Sequence, residues 1–309
     1  MARRREPEKQ SILIVKLGAF GNIVLSLAAF AAIRQHHVGA DISVLTGAAF
    51  APWLRAFPYF DNVMIDPRPA WWDFRAARRL GRMLTSEQFD RVYDLQTSTR
   101  SSRYFRLIPA KHRPEWSGIA FGCSHPDRDP RRNALHDAVR QQGQLAQAGI
   151  TVFPPADVSW CTGDIRRFRL PDSFVLLVPG SSPDRLAKRW PVAHYADLAQ
   201  RLGERGLATV VVGAAAERSL AAGISAAHDL TGQTDFGDLC DLARTARFAV
   251  GNDTGPMHLL AAAGCPIITL FSKDSDPSRC APVGRWTRVL RQPDLADLAV
   301  ETVLQALPG

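Results

Sequence analysis

The chain has 309 residues, 46% of them hydrophobic, which is enough for a sizeable core and excludes global disorder. At about 150 residues per domain the length predicts two domains, and the lack of any run of about 18 apolar residues excludes a membrane-spanning helix. The net charge of +8 is uneven, because residues 1–170 carry 25 basic and 15 acidic side chains while residues 171–309 carry 13 and 15, so the first half suits an anionic partner.

Short apolar runs alternate with amphipathic segments through the first half of the chain. Continuous apolar runs, the pattern of buried parallel strands, occur at residues 12–15, 42–45, 63–65 and 91–95. Helical patterns occur at residues 23–37, 74–84 and 134–148. Gly39 and Gly149 follow two of these helices, as glycine commonly does at a helix end. The alternation predicts a doubly wound α/β domain over residues 1–160.

The alternation is interrupted at residues 150–172, where three prolines and a glycine stand among charged residues. We place the connection between domains there and predict a second doubly wound domain over residues 161–309. Its strands are predicted at residues 174–178, 208–212, 248–250 and 266–271, and its helices at residues 194–205, 216–227, from 254 onward and at 294–307. Ligands of such domains bind beyond the carboxyl ends of the strands.

The cysteines and the N-terminal segment bear on the compartment. The five cysteines are Cys123, Cys161, Cys240, Cys265 and Cys280. Their odd number and the lack of a CxxC pair indicate neither a zinc site nor a disulfide framework, so we interpret them as inert thiols in a reducing cytoplasm. Residues 1–9 are basic and form either a solvated tail or a contact with anionic lipid. A peripheral position at the inner face of the cytoplasmic membrane stays open.

The first candidate loop, residues 16–22, follows the first predicted strand and begins a helix. Gly18 and Gly21 let the backbone approach a ligand, and amides at a helix N-terminus favour an anion. The same spacing also suits a simple tight turn. The full GxGxxG pattern is missing, which disfavours a nicotinamide dehydrogenase.

The second candidate loop, residues 179–191, is rich in glycine and serine and follows the strand predicted at 174–178. It offers the hydroxyls of Ser181 and Ser182, and Lys188 can act as a point charge on a phosphate. Lysine is rare here, with 5 lysines against 33 arginines, which makes a lysine at this position informative. The alternative is that Lys188 is a surface residue without a ligand.

The third candidate loop, residues 250–259, lies between a predicted strand and a predicted helix. Asp253 or Thr254 can cap the helix, and Pro256 suits its first turn. Free amides at the start of the helix can hold a diphosphate against the positive end of the helix dipole. We expect these amides at Thr254, Gly255, Met257 and His258. The His258 side chain lies one turn inside the helix, where a histidine is more often packed in the core.

The third loop and its continuation to residue 271 resemble the signature of glycosyltransferase family 9, the ADP-heptose:lipopolysaccharide heptosyltransferases. The string Asp253-Thr254-Gly255-Pro256-Met257-His258 is the most specific element and the early GxxG the least. Lys188-Arg-Trp-Pro, residues 212–217 and Asp94-Leu-Gln96 also match the family. The similarity covers residues 11–284. It implies an α/β fold of the GT-B type, with two doubly wound Rossmann-like domains facing a cleft that holds the active site.

The resemblance also implies a role for each matching residue. Ser181, Ser182 and Lys188 would contact the diphosphate of a nucleotide-sugar donor, and Glu217 would bind its ribose. The rest of the donor site would be Asp253, Thr254, Gly255, Pro256, Met257 and His258. The acceptor side would contain Gly18, Gly21, Gln96 and Arg100. Such enzymes invert the configuration of the transferred sugar and use neither a metal nor another cofactor.

One residue of the first loop departs from the family pattern. The family has an aspartate, regarded as the general base, where this chain has Asn22, and an amide cannot take a proton from the acceptor hydroxyl. Three interpretations stay open. Another group, Asp94 or His136, acts as the base; the chain is a slow or specialised transferase; or it binds a nucleotide sugar without transferring it.

Two DxD strings raise the alternative of a metal-dependent glycosyltransferase. They are Asp127-Arg-Asp129 and Asp274-Ser-Asp276. Such strings arise readily by chance in a chain with 30 acidic residues, and the second fits a family loop after the last strand. We therefore expect loops there rather than a metal site.

Arginines recur in three groups in the first half of the chain. They are Arg75, Arg78, Arg79 and Arg82; Arg100, Arg103 and Arg106; and Arg128, Arg131 and Arg132. No nucleic-acid-binding signature accompanies them, so a phosphorylated glycolipid at an anionic bilayer is the expected partner, with the Trp71-Trp72 pair either inserted there or packed in the core. The sequence thus predicts a transferase that moves a heptose or related sugar from an ADP-sugar to a lipopolysaccharide-core or similar glycan. The alternative is a nucleotide-sugar-binding protein without turnover.

Overall fold

The structure is a computed structural model that describes residues 9–70, 72–182, 184–224 and 227–308. Residues 1–8 and Trp71, for which an interfacial contact is considered above, lie outside the described residues. The chain forms two compact units. Unit 1 comprises Met1–Ala19 and Ser26–Ala156, and unit 2 comprises Phe20–Leu25 and Asp157–Gly309. The predicted boundary at residues 160 and 161 lies close to the observed one, but the sequence does not predict that Phe20–Leu25 groups with unit 2.

Unit 1 contains one parallel sheet in the order β3-β2-β1-β4-β5-β6. Its strands are β1 (Ser11–Val15), β2 (Asp41–Thr46), β3 (Asn62–Ile65), β4 (Arg91–Asp94), β5 (Glu115–Gly118) and β6 (His125–Pro126). Strand β1 is central and buried, as its uninterrupted apolar sequence predicts. The strand order reverses between β1 and β4, so a ligand crevice is expected beyond their carboxyl ends.

The early helices differ from the prediction in their boundaries. They are α1 (Phe20–Val24), α2 (Leu27–His36), α3 (Ala51–Leu54), α4 (Phe74–Ser86), α5 (Thr99–Leu107) and α6 (Asp137–Gln147). A single helix over residues 23–37 is wrong, because Leu25 and Ser26 form a turn where the chain passes from unit 2 to unit 1. The helix predicted from residue 134 begins at Asp137, because the His136 ring caps it by accepting the Ala138 N–H at 3.3 Å.

Unit 2 contains a second parallel sheet in the order β12-β11-β10-β7-β8-β9. Its strands are β7 (Phe174–Val178), β8 (Ala208–Val211), β9 (Ala227–Asp229), β10 (Ala249–Asn252), β11 (Ile267–Phe271) and β12 (Thr287–Arg291). Its further helices are α7 (Val192–Glu204), α8 (Arg218–Ala221), α9 (Phe236–Thr245), α10 (Gly255–Ala262), α11 (Pro277–Cys280) and α12 (Val300–Gln305). The order reverses between β7 and β10, which places the second crevice at their carboxyl ends.

Two predicted helices of unit 2 are wrong in extent. The helix at residues 216–227 reduces to α8, because the chain leaves the helix and adds β9 to the sheet edge. The helix at residues 294–307 is a short 3-10 turn followed by α12, since Asp294 caps the turn through the Ala296 N–H and Leu295 and Leu298 are drawn into the core. The sequence also misses α9 and the edge strands β6, β9 and β12.

Each unit has its own core. In unit 1, α4 and α5 approach closely at Gly81, where an added Cβ would lie 2.8 Å from the Leu107 carbonyl oxygen, and both helices pack on Trp116 of β5. In unit 2, the Trp190 indole donates to the Leu298 carbonyl at 2.8 Å. The five cysteines are free thiols, four of them buried. No helix within the described ranges is long and apolar enough to cross a bilayer.

Candidate active site

Asn252 joins the second and third candidate loops. It is the last residue of β10 and is fully buried. Its Oδ1 accepts the Trp190 N–H at 3.0 Å and the Tyr195 hydroxyl at 3.1 Å, and its Nδ2 donates to the Pro179 carbonyl at 2.7 Å. The second loop is thereby fixed across the ends of β7 and β10. Sequence reasoning missed Asn252, although a polar residue ending an apolar strand was a usable signal.

Lys188 and Asp253 form an ion pair at the centre of this region. The Lys188 Nζ lies 2.5 Å from Asp253 Oδ2, which also accepts the Ser275 hydroxyl at 2.6 Å. Lys188 is only 9% exposed, so the alternative of an ordinary surface lysine is wrong. Because an ammonium has three N–H donors, Lys188 can keep this pair and also bind a phosphate.

The two serines of the second loop have different surroundings. The Ser181 hydroxyl is buried, donates to the Arg185 carbonyl at 3.1 Å and accepts from Arg189 Nε at 3.1 Å. Ser181 therefore shapes the loop through its own hydroxyl. Ser182 is exposed beside it. Contact of either serine with a diphosphate stays a prediction.

The Glu217 carboxylate fits against two glycines. A Cβ at Gly180 would lie 1.8 Å from Glu217 Oε1, and a Cβ at Gly213 would lie 2.6 Å from Oε2. Oε2 also accepts the Ala214 N–H at 2.8 Å. The carboxylate fits beyond β7 and β8 because both of these positions are glycine. The arrangement fixes one carboxylate oxygen and leaves the other able to accept from a ligand hydroxyl.

The structure at the start of α10 shows that one of the backbone amides predicted to be free for a ligand is not free. Thr254 precedes the helix in an extended conformation, and its carbonyl accepts the Met257 N–H at 3.2 Å. The amide of Met257 is therefore not free for a ligand. The Met257 side chain is fully buried, with its sulfur against Gly251, so it packs under the site. Pro256 lies in the first turn, as predicted.

Helix α1 packs on α10 within unit 2. A Cβ at Gly21 would lie 2.9 Å from His258 Nε2, and a Cβ at Gly255 would lie 2.3 Å from the Phe20 ring. The His258 ring, which is buried, therefore covers the backbone of Gly21, and the exposed Asn22 follows directly. Gly21, predicted for the acceptor side, and His258, predicted for the donor side, are thus immediate neighbours.

Lys16 and Asp94 form a buried polar cluster beyond β1 and β4 of unit 1. Asp94 Oδ1 accepts the N–H groups of Gln96 at 3.1 Å and Thr97 at 3.0 Å, and no described residue bonds its Oδ2. Lys16 Nζ donates to the Leu95 carbonyl at 3.1 Å. Burial raises the pKa of Asp94 to about 6 and lowers the pKa of Lys16 to about 8.

The remaining candidates of unit 1 differ in access to solvent. Asp94 is fully buried, whereas His136 is half-buried and its Nδ1 accepts the Ala138 N–H at the start of α6. His136 is therefore the better placed of the two to meet a hydroxyl from solvent. The Gln96 side chain accepts the Leu17 N–H at 2.9 Å and fixes the first loop. Gly18 has a φ of +128° and lies close to the Phe50 ring. Arg100 is exposed and donates to the Pro69 carbonyl at 3.0 Å.

The DxD strings make local contacts. Asp127 pairs with Arg132 at 2.8 Å, Asp129 pairs with Arg131 at 3.4 Å, and Asp276 caps α11 through the Ser278 N–H at 3.0 Å. In the part of the chain that the structure describes, no group of three His, Cys, Asp or Glu residues could hold a metal ion. Two arginines of the third basic group are therefore engaged by neighbouring carboxylates.

Two doubly wound units, each with its candidate ligand loops beyond the carboxyl ends of the strands, are the arrangement of the two-domain GT-B class of glycosyltransferases. A sequence profile described as glycosyltransferase family 9 (heptosyltransferase) matches residues 77–303, and the chain belongs to this family. Lipopolysaccharide heptosyltransferase 1 of Pseudomonas aeruginosa is 35% identical, over 89% of this chain and 81% of that protein. Lipopolysaccharide heptosyltransferase 2 of Escherichia coli is 27% identical, over 91% and 87%. The solved ADP-heptose lps heptosyltransferase II of E. coli matches with a TM-score of 0.76 and 22% identity, over 96% of this chain and 97% of that one.

Proposed function

We propose that this glycosyltransferase moves a heptose from ADP-heptose to a phosphorylated lipopolysaccharide-core acceptor, by an inverting mechanism without a metal or another cofactor. The observation that carries the proposal is the Lys188–Asp253 pair beside the start of α10, with Glu217 held over β7 and β8. Lys188 and the helix start suit an anionic diphosphate, and the Glu217 carboxylate can accept hydrogen bonds from ribose hydroxyls. The names of the similar proteins, which specify heptose and lipopolysaccharide, support the choice of sugar and acceptor.

The donor contacts follow from the chemistry of ADP. Glu217 accepts hydrogen bonds from the ribose hydroxyls through the oxygen that Ala214 does not use. Lys188 and the first amides of α10 bind the diphosphate, because a helix N-terminus and an ammonium both favour an anion. His258 adds a ring N–H or acceptor beside the sugar-phosphate bond.

The reaction is a direct displacement at the anomeric carbon. The acceptor hydroxyl attacks the face opposite the diphosphate, the bond to the leaving phosphate oxygen breaks, and the configuration inverts. Negative charge grows on the leaving diphosphate, so Lys188 and the helix dipole stabilise the transition state more than the bound donor. The acceptor proton passes to His136 Nδ1, which must release the Ala138 N–H in order to accept it, because the neutral ring carries its own proton on Nε2.

Product formation tests this function against binding without turnover. The purified protein is incubated with ADP-heptose and a deacylated, phosphorylated core saccharide, and ADP release and glycosylated product are both measured. Product that depends on both substrates supports the proposal. Tight ADP binding with no product on any core saccharide favours the binding protein instead.

Replacing Asn22 by aspartate tests which group acts as the base. General-base catalysis typically accelerates a reaction about 10²–10⁴-fold. If His136 already acts as the general base, a second base adds little, so N22D should change the transfer rate by less than about tenfold. His136→Gln in the native background then removes most of the activity. A hundredfold gain in N22D would show instead that the native chain lacks an efficient base.

We also propose that the protein works at the cytoplasmic face of an anionic membrane. The support is the basic character of its first half.

A further inference from the structure

Helix α4 presents a continuous arginine face to solvent. Arg75, Arg78, Arg79 and Arg82 are all exposed, and with Phe74 they span about 140° of the helix circumference at 100° per residue. The opposite face carries Leu80 and Leu84 into the core. Helix α4 contains no acidic residue, so no carboxylate on the helix neutralises this face.

Helix α5 extends the same charge beside α4. Arg100, Arg103 and Arg106 are exposed, and α5 also lacks an acidic residue. The two helices touch at Gly81, which puts their arginine faces next to each other on unit 1. The two adjoining helices therefore carry seven exposed arginines, and neither helix contains a carboxylate.

An apolar hollow of about 670 Å³ opens between residues 68–70, the start of α4 and one side of α5. Its walls include Pro69, Ala70, Ala77, Tyr104 and Leu107, and Arg68, Arg100 and Arg103 stand among the lining residues. At its edge, Trp72 is 64% and Phe74 78% exposed. Two large aromatic side chains thus face water beside a cationic surface.

This combination fits one class of partner better than the others. Surfaces that bind anionic membranes combine arginine or lysine with exposed Trp and Phe, because the cations meet lipid phosphates and the rings enter the interfacial layer. A purely solvated face explains the arginines but leaves the exposed rings unexplained. Nucleic acid also binds arginine through its phosphates, but it does not account for the apolar hollow.

We propose that the surface formed by α4, α5 and residues 68–70 and 72–74 docks this enzyme on an anionic lipid bilayer, with Trp72 and Phe74 inserted among the lipid headgroups. The arginines bind headgroup phosphates, and the hollow receives the upper part of a lipid chain. The inference rests on the proposed function in one respect, that the acceptor is a lipid. Docking itself needs neither donor nor acceptor, so it can be tested apart from transfer.

The test is cosedimentation of the full chain with vesicles, without any sugar substrate. Vesicles of phosphatidylcholine with about one-third phosphatidylglycerol are compared with pure phosphatidylcholine. We expect binding to the anionic vesicles only. The variant R75Q/R78Q/R79Q should bind about a hundredfold more weakly, since each basic residue near such a surface contributes about 1 kcal/mol. The variant W72A/F74A should also bind more weakly, and its tryptophan emission should no longer shift to the blue with vesicles.

The matched control is R205Q/R247Q/R285Q, which removes the same charge from exposed positions of unit 2. It should bind vesicles like the native protein. Equal binding of the control and of R75Q/R78Q/R79Q would show that only net charge matters and would overturn the assignment, as would equal binding to both vesicle types. Retention on single-stranded or duplex DNA at moderate salt without vesicle binding would also overturn it. If docking fails while transfer to the deacylated saccharide succeeds, the proposed function stands and this surface is wrong.

Discussion

At the scale of single residues, the donor region depends on charges that hold each other in place. Lys188 and Asp253 are both about nine-tenths buried, and each neutralises the other at the end of β10. A buried ion pair adds little net stability, but removal of one partner leaves an uncompensated charge. The pair therefore places an ammonium beside α10, where we propose that the donor diphosphate binds.

Replacing Lys188 by methionine should lower ADP affinity by about 10- to 150-fold, since a charged hydrogen bond is worth about 1.5–3 kcal/mol. The single variant should also unfold more easily, because Asp253 keeps only the Ser275 hydroxyl. The double variant K188M/D253N should regain stability but not affinity. Calorimetry with ADP and thermal unfolding measure the two effects, and K273M removes an exposed lysine as the control. Unchanged ADP affinity in K188M would contradict this role.

The buried Asp94 makes stability depend on pH. Its pKa of about 6 in the folded chain exceeds the ordinary value of 3.8, so the protonated form is favoured by folding. This stabilising contribution is fully present below about pH 4 and is lost as the pH rises through 6. The pKa of Lys16, about 8 against 10.5, acts in the opposite sense and only above this window.

Asp94→Asn should remove that pH dependence. The free energy of unfolding of the variant, relative to the native chain, should increase by up to about 3 kcal/mol between pH 4 and pH 7. Urea unfolding at four pH values gives the difference curve. The control is Glu301→Gln, which changes an exposed residue of unit 2. Its free energy of unfolding should depend on pH in the same way as that of the native protein. A flat difference for D94N would show that Asp94 keeps an ordinary pKa.

At the scale of elements, the loops work because small residues let other groups come close. Gly180 and Gly213 give room to the Glu217 carboxylate, Gly21 to the His258 ring, and Gly255 to Phe20. None of these glycines has a positive φ, so the reason for glycine is the close approach. The positions of the Glu217 and His258 side chains therefore depend on glycines in other parts of the chain.

Gly180→Ala should displace the Glu217 carboxylate, because the added methyl group would overlap Oε1 and the end of a glutamate side chain moves readily. ADP affinity should fall by about tenfold or more, as far as in Glu217→Gln, and the double variant should fall no further. Gly203→Ala, in α7 with no atom near the new methyl group, is the control and should leave affinity unchanged. Additive losses in the double variant would show that Gly180 acts in another way.

At the scale of the whole molecule, charge and site chemistry are divided between the units. The arginine faces of α4 and α5 belong to unit 1, while Lys188, Glu217 and α10 belong to unit 2. Unit 2 binds its proposed anion through one lysine and backbone amides, so it has no need of a large basic surface. The excess of positive charge in the first half of the chain is therefore available for the proposed lipid-linked acceptor.

The variant R75Q/R78Q/R79Q should therefore raise the KM for a bilayer-embedded acceptor and leave ADP affinity within about twofold, because these exposed charges are screened by salt and belong to unit 1, whereas the proposed ADP contacts belong to unit 2. Transfer kinetics on vesicles and ADP calorimetry measure the two quantities. An equal loss of ADP affinity would contradict the division between the units.

Part of this protein can be predicted from local patterns alone. The buried strands β1 and β7, the start of α10 at Gly255 and Pro256, and the loops beyond these strands follow from apolar runs, proline and glycine within a few residues of one another. The family likewise follows from short strings such as residues 253–258. The edge strands β9 and β12 escape this reasoning, because their short, half-exposed sequences carry no periodic pattern.

Two doubly wound units, the family and the loops of the candidate site thus follow from local sequence patterns. The contacts within those loops are visible only in the folded chain: Lys188 pairs with Asp253 across 65 positions, Glu217 lies against Gly180, and α1 joins the second unit. The difference arises because local periodicity reports which face of an element is buried. Contacts between distant residues depend on which elements the complete sheet brings together, and no short stretch of sequence records that.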